Sequence, residues 1–332
     1  MKLSFIIPAY NEEKYIGQCL DSIFRELKNT SYDTEIIVVN NASTDKTKEI
    51  AQKYPGVKIV DEPAKGLVRA RRTGFLAATG DLIANVDSDT MLTPGWIERV
   101  FREFEKNKKL VALSGPFIYY DLSKGIDFMV RKVFYPIGFV IYLVNHFIFR
   151  RGGMLQGGNF VVRRDALTKI GGYNTDIDFY GEDTDIANRI GKVGTVKFTF
   201  KLPIYSSGRR LAGEGAFTMG LRYGMNYLWM IFFKRPYTKT SIIVRPETEG
   251  GKLIYKPVNR KREWAAASFL ILATFIVLAG LGYLGYYLVQ SGVVSAINAA
   301  RVRMETRVQN KINDISTQIK NTIETTTNEL KK

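Results

Sequence analysis

The feature that most constrains the fold is the alternation of short apolar runs with amphipathic segments over residues 1–90. The apolar runs have the length and aliphatic content of buried strands, and the segments between them repeat apolar residues at helical spacing. The predicted strands are 2–8, 35–40, 57–60 and 82–86, with a further strand at 110–113, and the predicted helices lie at about 12–27, 46–54 and 67–79. Asn11 is expected to cap the first helix, and Arg71 is expected to leave the third helix on a side away from its packed face. Strands and helices in this order predict an α/β domain with a parallel sheet and right-handed crossovers.

The fourth of these strands ends in two carboxylates, Asp87 and Asp89. Ligands of open parallel sheets bind outside the carboxyl ends of the strands, so a ligand would meet both side chains there. Paired carboxylates suit a hard divalent cation that also binds phosphate oxygens. Because Asp-x-Asp is also common in solvated turns, the motif indicates a metal site only through its position after a buried strand.

Composition and charge limit the classes of partner. The chain has 332 residues, enough for one large α/β domain with appendages, and a formal net charge of +16. The basic residues are scattered and no nucleic-acid-binding motif is present, so nucleic acid is not the predicted partner. The densest basic run, 256–262, precedes an apolar segment, which favours an anionic membrane surface, a nucleotide diphosphate or a lipid phosphate. With one histidine, His146, a multi-histidine metal site is excluded.

Several motifs together resemble glycosyltransferase family 2. They are the run 5–12 (FIIPAYNE), the turn 40–45 (NNASTD), the segment 70–74 (ARRTG), Asp87-Ser-Asp89, the run 171–173 (GGY) and the run 181–183 (GED). They follow the family's order and approximate spacing over residues 1–210. The resemblance implies a GT-A fold, a UDP- or GDP-linked sugar donor, Mn²⁺ or Mg²⁺, and inversion at the anomeric carbon.

The same resemblance assigns residues to the nucleotide. The residues expected to line the nucleotide pocket are Pro8, Tyr10 and Glu12. Asn40 or Asn41 stands where the family usually has an aspartate that reads the base, a departure that leaves the base open because an amide both donates and accepts hydrogen bonds. Arg71 matches a family arginine near the diphosphate, a role suited to its fixed charge; the alternative is a solvated helix face.

On the reactive side, the resemblance assigns the metal to Asp89, with Asp87 near the ribose or the metal. Gly158, in a glycine-marked turn that leads into a strand, would lie against the donor sugar. Glu182 and Asp183 begin a predicted helix, whose amino terminus stabilises negative charge. The resemblance makes Asp183 the catalytic base and Glu182 a donor-binding residue, and the alternative is that both residues only start the helix. For an already ionised acceptor such as a polyprenyl phosphate no base is needed, and Asp183 would position the acceptor or sugar instead.

The carboxyl-terminal third predicts membrane attachment. Residues 265–289 are 25 residues without a charge, about 37 Å as a helix, which is enough to cross a bilayer. We therefore expect a domain at 1–210, a membrane-proximal amphipathic segment and basic linker at 211–263, a transmembrane helix at 264–290 and a polar tail at 291–332. The basic residues before the helix predict a single-pass protein of the cell membrane with its catalytic part in the cytoplasm.

The aromatic segments 128–149 and 216–233 predict interfacial elements, or buried core helices in the case of 128–149. Together with the predicted span they favour a lipid acceptor over a growing cell-surface glycan or another glycolipid. The tail would be either a self-associating helix, which allows an oligomer, or loosely ordered. The alternative from another class is a silent nucleotide-sugar-binding scaffold. The four carboxylates present argue against it: Asp87, Asp89, Glu182 and Asp183.

Overall fold

A computed structural model describes residues 1–136, 138–139, 153–238, 247–249, 252–254 and 258–329. Contacts divide the chain into two compact units, Met1–Ala267 and Ser268–Lys332. Half of the predicted interfacial segment 128–149 lies outside the described residues; its described beginning is helical.

The strands are β1 Leu3–Ala9, β2 Thr34–Asn40, β3 Val57–Asp61, β4 Leu82–Val86, β5 Thr90–Leu92, β6 Leu110–Ser114, β7 Phe117–Tyr119, β8 Asn159–Arg163, β9 Thr195–Phe198, β10 Ile204–Ser206, β11 Glu247–Glu249 and β12 Lys252–Ile254. Seven of them form the main sheet in the order β3-β2-β1-β4-β8-β6-β9. The first four are parallel, as predicted. In contrast, β8 runs antiparallel to both of its neighbours, β4 and β6, so the sheet is mixed at its centre.

The helices are α1 Ile16–Leu27, α2 Thr47–Gln52, α3 Leu67–Ala77, α4 Trp96–Lys106, α5 Lys124–Met129, α6 Arg164–Lys169, α7 Glu182–Ile190, α8 Arg209–Glu214, α9 Ala216–Phe233, α10 Arg260–Gln290 and α11 Val293–Glu329. A π-helical stretch, Val130–Phe134, continues α5. The main sheet is covered on both faces. Phe5 and Ile7 pack with α1 and α4 on one face, and Ile6 packs with α3 on the other. Successive side chains of a strand point to opposite faces, so a sheet that packs against helices on both faces requires strands with continuous apolar runs, as the sequence shows.

A second, three-stranded sheet lies beside the carboxyl end of β4, in the order β5-β10-β7. In it β5 and β10 are antiparallel, with Ser206 opposite Thr90. The residue before β5 and the residues after β10 therefore lie at the same end of the pair, because antiparallel partners reverse direction. This register brings Asp89 and the start of α8 together.

Two local predictions were wrong. Asn11 was expected to cap the first helix, but α1 begins at Ile16, and Asn11 has a φ of 50°. Its side-chain oxygen accepts a hydrogen bond from the Thr44 amide at 2.6 Å, so it joins the loop after β1 to the turn after β2. Arg71 was expected to leave α3 on a side away from the packed face, but its side chain is completely buried. The buried carboxylates described below make that burial tolerable.

The carboxyl-terminal part is helical where it is described. Helix α10 confirms the predicted helix over 264–290, and α11 gives the tail a helical conformation. Among the helices in the described part of the chain, none combines the length and apolar content needed to cross a bilayer. The predicted membrane crossing has no support from the structure and stays a prediction from the sequence.

Candidate active site

Six of the predicted site residues come from four places in the chain, and the ends of the strands bring them together. Glu12 follows β1, Asp87 and Asp89 follow β4, Glu182 and Asp183 begin α7, and Gly158 immediately precedes β8. Strands β1, β4 and β8 are consecutive in the main sheet. The site is thus at the carboxyl end of β4, as the sequence predicts.

The first part of the site is the Arg71 cluster, defined as Arg71, Asp87 and Glu182. The Nη2 of Arg71 donates to Asp87 Oδ1 at 2.9 Å, and its Nη1 donates to Glu182 Oε1. Arg71 is fully buried and the Glu182 side chain is 5% exposed, whereas Asp87 is 32% exposed. Because burying a charge is costly unless it is paired, α3 can bury this arginine only where both carboxylates meet it. The arginine therefore joins the end of β4 to the start of α7.

The second part is the Arg209 cluster, defined as Arg209, Glu12 and Asp89. The guanidinium donates to both oxygens of Glu12, at 2.9 and 2.7 Å, and lies 3.1 Å from Asp89 Oδ2. It also lies over the ring of Tyr15, 4.9 Å from the centroid. Burial raises the pKa of Asp89 to about 7; the positive charge of Arg209 opposes the shift, and the carboxylate of Glu12 adds to it. Asp89 thus depends on a cation to stay ionised.

The predicted base, Asp183, is held by backbone amides. Its Oδ2 accepts a hydrogen bond from the Gly157 amide at 3.0 Å, and its Oδ1 accepts one from the Thr184 amide at 2.7 Å. Burial raises the pKa of Asp183, and these amide hydrogen bonds work against the rise. A carboxylate whose pKa is raised above its ordinary value is a stronger base, so the environment suits proton transfer.

Gly158 lies against the first aspartate of the motif. Its φ of 83° is in the left-handed region, and a Cβ added there would overlap the carboxylate of Asp87. Glycine is required here both for the backbone conformation and for the close approach. The structure therefore places Gly158 directly beside Asp87; its predicted contact with the donor sugar stays a prediction.

The predicted nucleotide residues occupy the ends of β1 and β2. Pro8 is buried in β1 opposite Val39, and Tyr10 lies 4.1 Å below the ammonium of Lys65, measured to its ring centroid. Asn40 Nδ2 donates to Asp61 Oδ1 at 2.8 Å, which links the ends of β2 and β3.

The side chain of Asn41 is used within the protein. It donates to the carbonyls of Glu62 and Ala64 at 3.0 and 2.8 Å and accepts from the Gly66 amide at 2.9 Å. These bonds fix the loop that leads into α3. The Asn40 side chain is also bonded within the protein, since its Oδ1 accepts from the Ser43 amide at 3.3 Å, but it makes fewer of these bonds than Asn41 and is the better candidate to contact a base.

A divalent cation would find hard oxygen ligands in Asp87 and Asp89. In the described part of the chain, no group of three or more His, Cys, Asp or Glu side chains is close enough to hold a metal by itself. A cation would therefore need other oxygens, such as those of a diphosphate and water, and Mg²⁺ is commonly bound in that way. The donor set fits such an ion, provided that the arginines now paired with the two carboxylates yield part of their contacts.

Sequence reasoning missed Arg209 and Gly157. The pattern Gly208-Arg-Arg210 after a short strand gives a weak signal for a basic turn, but nothing local links it to Glu12, 197 residues away. The role of Gly157 lies in its backbone amide, which any residue type but proline supplies, so composition gives no signal for it.

Comparisons with known proteins agree with the fold and the motifs. A model of glycosyl transferase family 2 matches residues 4–171. The uncharacterized glycosyltransferase EpsJ of Bacillus subtilis is 36% identical over 110 residues, which cover 32% of this chain and 31% of that protein. The dolichyl-phosphate beta-glucosyltransferase ALG5A of Trichomonas vaginalis is 38% identical over 97 residues, covering 26% of this chain and 30% of that protein. The matches thus span less than half the length of these relatives.

Among solved structures, the mannosyltransferase PcManGT of Pyrobaculum calidifontis, in complex with GDP-Man and Mn²⁺, has a TM-score of 0.53. It is 19% identical, and the match covers 68% of this chain and 62% of that one. At this identity the likeness shows the fold alone, and it confirms the predicted GT-A-type α/β domain. Because the family model spans half of the 332 residues, including the strand ends that carry Glu12, Asp87 and Asp89, the chain belongs to glycosyl transferase family 2.

Proposed function

We propose that this protein is an inverting, metal-dependent glycosyltransferase. It transfers a sugar from a UDP- or GDP-linked donor to a membrane-associated acceptor, most simply a lipid such as a polyprenyl phosphate. The observation that carries the proposal is the Arg71 cluster, because one buried arginine joins Asp87 to Glu182 and so holds Asp183 beside the carboxylates expected to face the donor. Direct transfer requires that the donor-binding and acceptor-activating groups be held next to each other.

On the donor side, Asp87 and Asp89 are the residues that would hold Mn²⁺ or Mg²⁺. A bound cation offsets the negative charge that develops on the departing nucleotide. Asn40, at the end of β2, would meet the base, and Tyr10 and Pro8, at the end of β1, would line the nucleotide pocket. The structure of PcManGT was solved in complex with GDP-Man and Mn²⁺, which agrees with a donor complex of this kind.

On the acceptor side, Asp183 accepts the proton of an acceptor hydroxyl. The hydroxyl oxygen forms a bond to the anomeric carbon from the face opposite the leaving group, the bond to the diphosphate oxygen breaks, and the nucleoside diphosphate departs. Attack from the opposite face inverts the anomeric centre. An acceptor phosphate is already largely ionised near neutral pH, because its second pKa is about 6. With that acceptor Asp183 orients the nucleophile and accepts no proton.

Support for a lipid acceptor comes from α9. Met230 on this helix packs so closely on Gly181 that a Cβ there would overlap it, and Arg222 Nη1 donates to Tyr180 Oη at 3.2 Å. Just beyond Met230, the carboxyl-terminal end of the same helix exposes large apolar side chains, with Phe232 and Phe233 each more than half exposed. Helix α9 thus both contacts the loop before Asp183 and carries an exposed apolar surface. Exposed apolar patches of this kind mark sites for lipid or protein partners.

We also propose that the protein is attached to the cell membrane with its catalytic unit on the cytoplasmic side. This rests on the sequence: 25 uncharged residues at 265–289 follow a basic run at 256–262. Extraction of cell membranes with alkaline carbonate tests it. Release of the full-length protein into the soluble fraction would contradict the proposal.

The alternative acceptor, a growing cell-surface glycan or another glycolipid, is favoured by relatives of a different kind. The chondroitin synthase of Pasteurella multocida is 36% identical over 115 residues, covering 33% of this chain and 12% of that protein. The alternative of a silent nucleotide-sugar-binding scaffold has support from Asn40 or Asn41, which stands where the family resemblance leads us to expect an aspartate.

The deciding experiment is a donor screen with the detergent-solubilised protein and Mn²⁺ or Mg²⁺, following release of nucleoside diphosphate with and without a short polyprenyl phosphate. We expect release that requires both the metal and the lipid, from one donor above all others. Release that instead requires an oligosaccharide would identify a glycan acceptor. Nucleotide binding without release under any condition would identify a scaffold.

A further inference from the structure

Arg209 contacts Asp89, the carboxylate that would hold the metal of a donor complex. Its guanidinium contacts Asp89 Oδ2 at 3.1 Å and both oxygens of Glu12, while no more than 14% of any of the three side chains is exposed. A guanidinium keeps its proton at any physiological pH. A metal at Asp89 would compete with this positive charge, and because no change of protonation can remove the charge, the competition is relieved when Arg209 moves away from Asp89.

The backbone that carries Arg209 is fixed, so the movement is confined to its side chain. Asp121 accepts hydrogen bonds from the Ser207 hydroxyl and from the Gly208 amide, both at 2.5 Å. The antiparallel pair of β5 and β10 further fixes this turn beside Asp89, and the Ser207 amide donates to the Asp89 carbonyl at 3.2 Å. Rotation of the arginine side chain about this anchored backbone is enough to exchange its partner.

We propose that Arg209 is a donor-binding residue that exchanges partners: it neutralises Asp89 in the donor-free protein and donates to the donor's diphosphate in the complex, while keeping its contact with Glu12. The proposal rests on the proposed function, because it takes Asp89 as the metal ligand. A guanidinium suits both partners, because its planar set of donors matches carboxylate and phosphate oxygens equally well. Glu12 then acts as the fixed partner that keeps the side chain in place during the exchange.

If Arg209 exchanges partners, its removal should change the affinities for Mn²⁺ and for the nucleotide in opposite directions, which removal of a purely structural arginine would not do. Without Arg209, the carboxylates of Glu12 and Asp89 lose their counter-charge, so Mn²⁺ alone should bind more tightly. The nucleoside diphosphate loses a charged hydrogen-bond donor, so it should bind more weakly even when Mn²⁺ is saturating. Each change should be about tenfold, the usual size for one charge-assisted hydrogen bond.

The experiment measures two affinities in Arg209→Gln and in the wild-type protein. Free Mn²⁺ is followed by electron paramagnetic resonance in a titration without nucleotide, and UDP and GDP are titrated calorimetrically at saturating Mn²⁺. We expect tighter Mn²⁺ binding and weaker binding of the preferred nucleotide. Arg209→Lys keeps the charge but one ammonium cannot span Glu12 and Asp89, so its Mn²⁺ affinity should fall between the two.

Lys197→Gln is the matched control, because it removes one positive charge from an ion pair with Glu103, at 2.7 Å, that lies outside both clusters. It should leave both affinities unchanged, and circular dichroism should show native folding for every variant. If Arg209→Gln weakens both ligands together, or changes neither while the wild-type protein binds the Mn²⁺–nucleotide complex, this inference is overturned and the proposed function stands. A wild-type protein that binds neither Mn²⁺ nor nucleotide overturns both.

Discussion

The two arginine clusters of the site use the same kinds of side chain and differ in their surroundings. In the Arg71 cluster the arginine comes from a helix packed on the main sheet and is completely buried. In the Arg209 cluster it is the first residue of α8, which follows the three-residue strand β10, and 14% of its side chain is exposed. Arg71 holds two elements together, whereas Arg209 occupies the place that a ligand would take.

This difference shows how one acidic site can be both rigid and able to bind an anion. A fully buried arginine with two carboxylates is costly to unpair, so it fixes the relative positions of β4 and α7. A partly exposed arginine can exchange a carboxylate for a phosphate at little cost, because both are oxyanions. In the Asp-x-Asp motif, Asp87 thus makes a fixed internal contact with Arg71, whereas Asp89 contacts Arg209, which can exchange its partner.

The largest effect should come from Asp183, the proposed base, which lies beside the Arg71 cluster. Asp183→Asn should reduce transfer to a hydroxyl acceptor by about 10²–10⁴-fold, the usual range for general base catalysis. Nucleotide binding should not change, and the free energy of unfolding should fall by about 1–3 kcal/mol, because one of the two backbone amides that donate to the carboxylate then faces the amide NH₂ and loses its acceptor. Steady-state kinetics measure the transfer rate, a nucleotide titration measures binding, and urea denaturation measures the free energy of unfolding.

The pH profile of the wild-type protein completes that test. Because the pKa of Asp183 is raised, its carboxyl becomes protonated, and the rate should fall, at a pH above the ordinary aspartate value of about 4. With a phosphate acceptor the acidic limb should instead follow the second pKa of that phosphate, about 6, if Asp183 only positions the group. Full activity of Asp183→Asn with a hydroxyl acceptor would disprove the assignment.

The second prediction compares the arginines directly. Arg71→Met should lower the free energy of unfolding by about 3–5 kcal/mol, because it leaves the nearly buried carboxylate of Glu182 without a partner. Arg209→Met should cost only about 1–2 kcal/mol, since Glu12 and Asp89 retain some access to water. Urea denaturation followed by circular dichroism gives both values.

A double variant tests the cause of that difference. Arg71→Met combined with Glu182→Gln should recover part of the stability lost in Arg71→Met, because a neutral amide costs less to bury than an unpaired carboxylate. Equal losses in Arg71→Met and Arg209→Met would remove the distinction between a structural and an exchangeable cluster.

The third prediction concerns the glycine that touches the Arg71 cluster. Gly158→Ala places a methyl group in the carboxylate of Asp87 and also forces alanine into a φ of 83°. Gly56→Ala imposes a similar φ of 76° where nothing lies within 4 Å of the added Cβ. The backbone strain of about 1–2 kcal/mol is thus common to both, and only Gly158→Ala should also displace Asp87 and reduce donor affinity. Identical donor affinities in the two variants would show that the close approach is irrelevant to binding.

The smallest effect should come from a carboxylate remote from both clusters. Burial opposes ionisation of Glu35, but hydrogen bonds from Ser4 and Thr79 outweigh it and lower its pKa to about 2. The ionised form therefore stabilises the fold above the unfolded pKa of about 4.3, and this contribution is lost as the pH falls toward 2. Glu35→Gln should cost about 1 kcal/mol at pH 7 and less at pH 3, as measured by urea denaturation at each pH. A cost that does not change with pH would contradict the assigned pKa.

Most of the fold could be predicted from the sequence because its signals are local. The first four strands, the strand at β6 and the strand at β8 appear where apolar runs and glycine turns predict them. The direction of β8 could not be predicted, since an apolar run fits a parallel or an antiparallel neighbour equally well. Asn11 was misassigned because asparagine favours helix caps and turns alike, and here its partner belongs to a turn 33 residues away.

For the site, the sequence alone determined which carboxylates follow which strands, because strand ends are read from short apolar runs. Only the tertiary structure decided which arginine neutralises which carboxylate. Arg71 meets Glu182 across 111 residues of sequence, and Arg209 meets Glu12 across 197. Helical spacing cannot distinguish a buried arginine from a solvated one, because the partner that makes burial tolerable lies in another part of the chain.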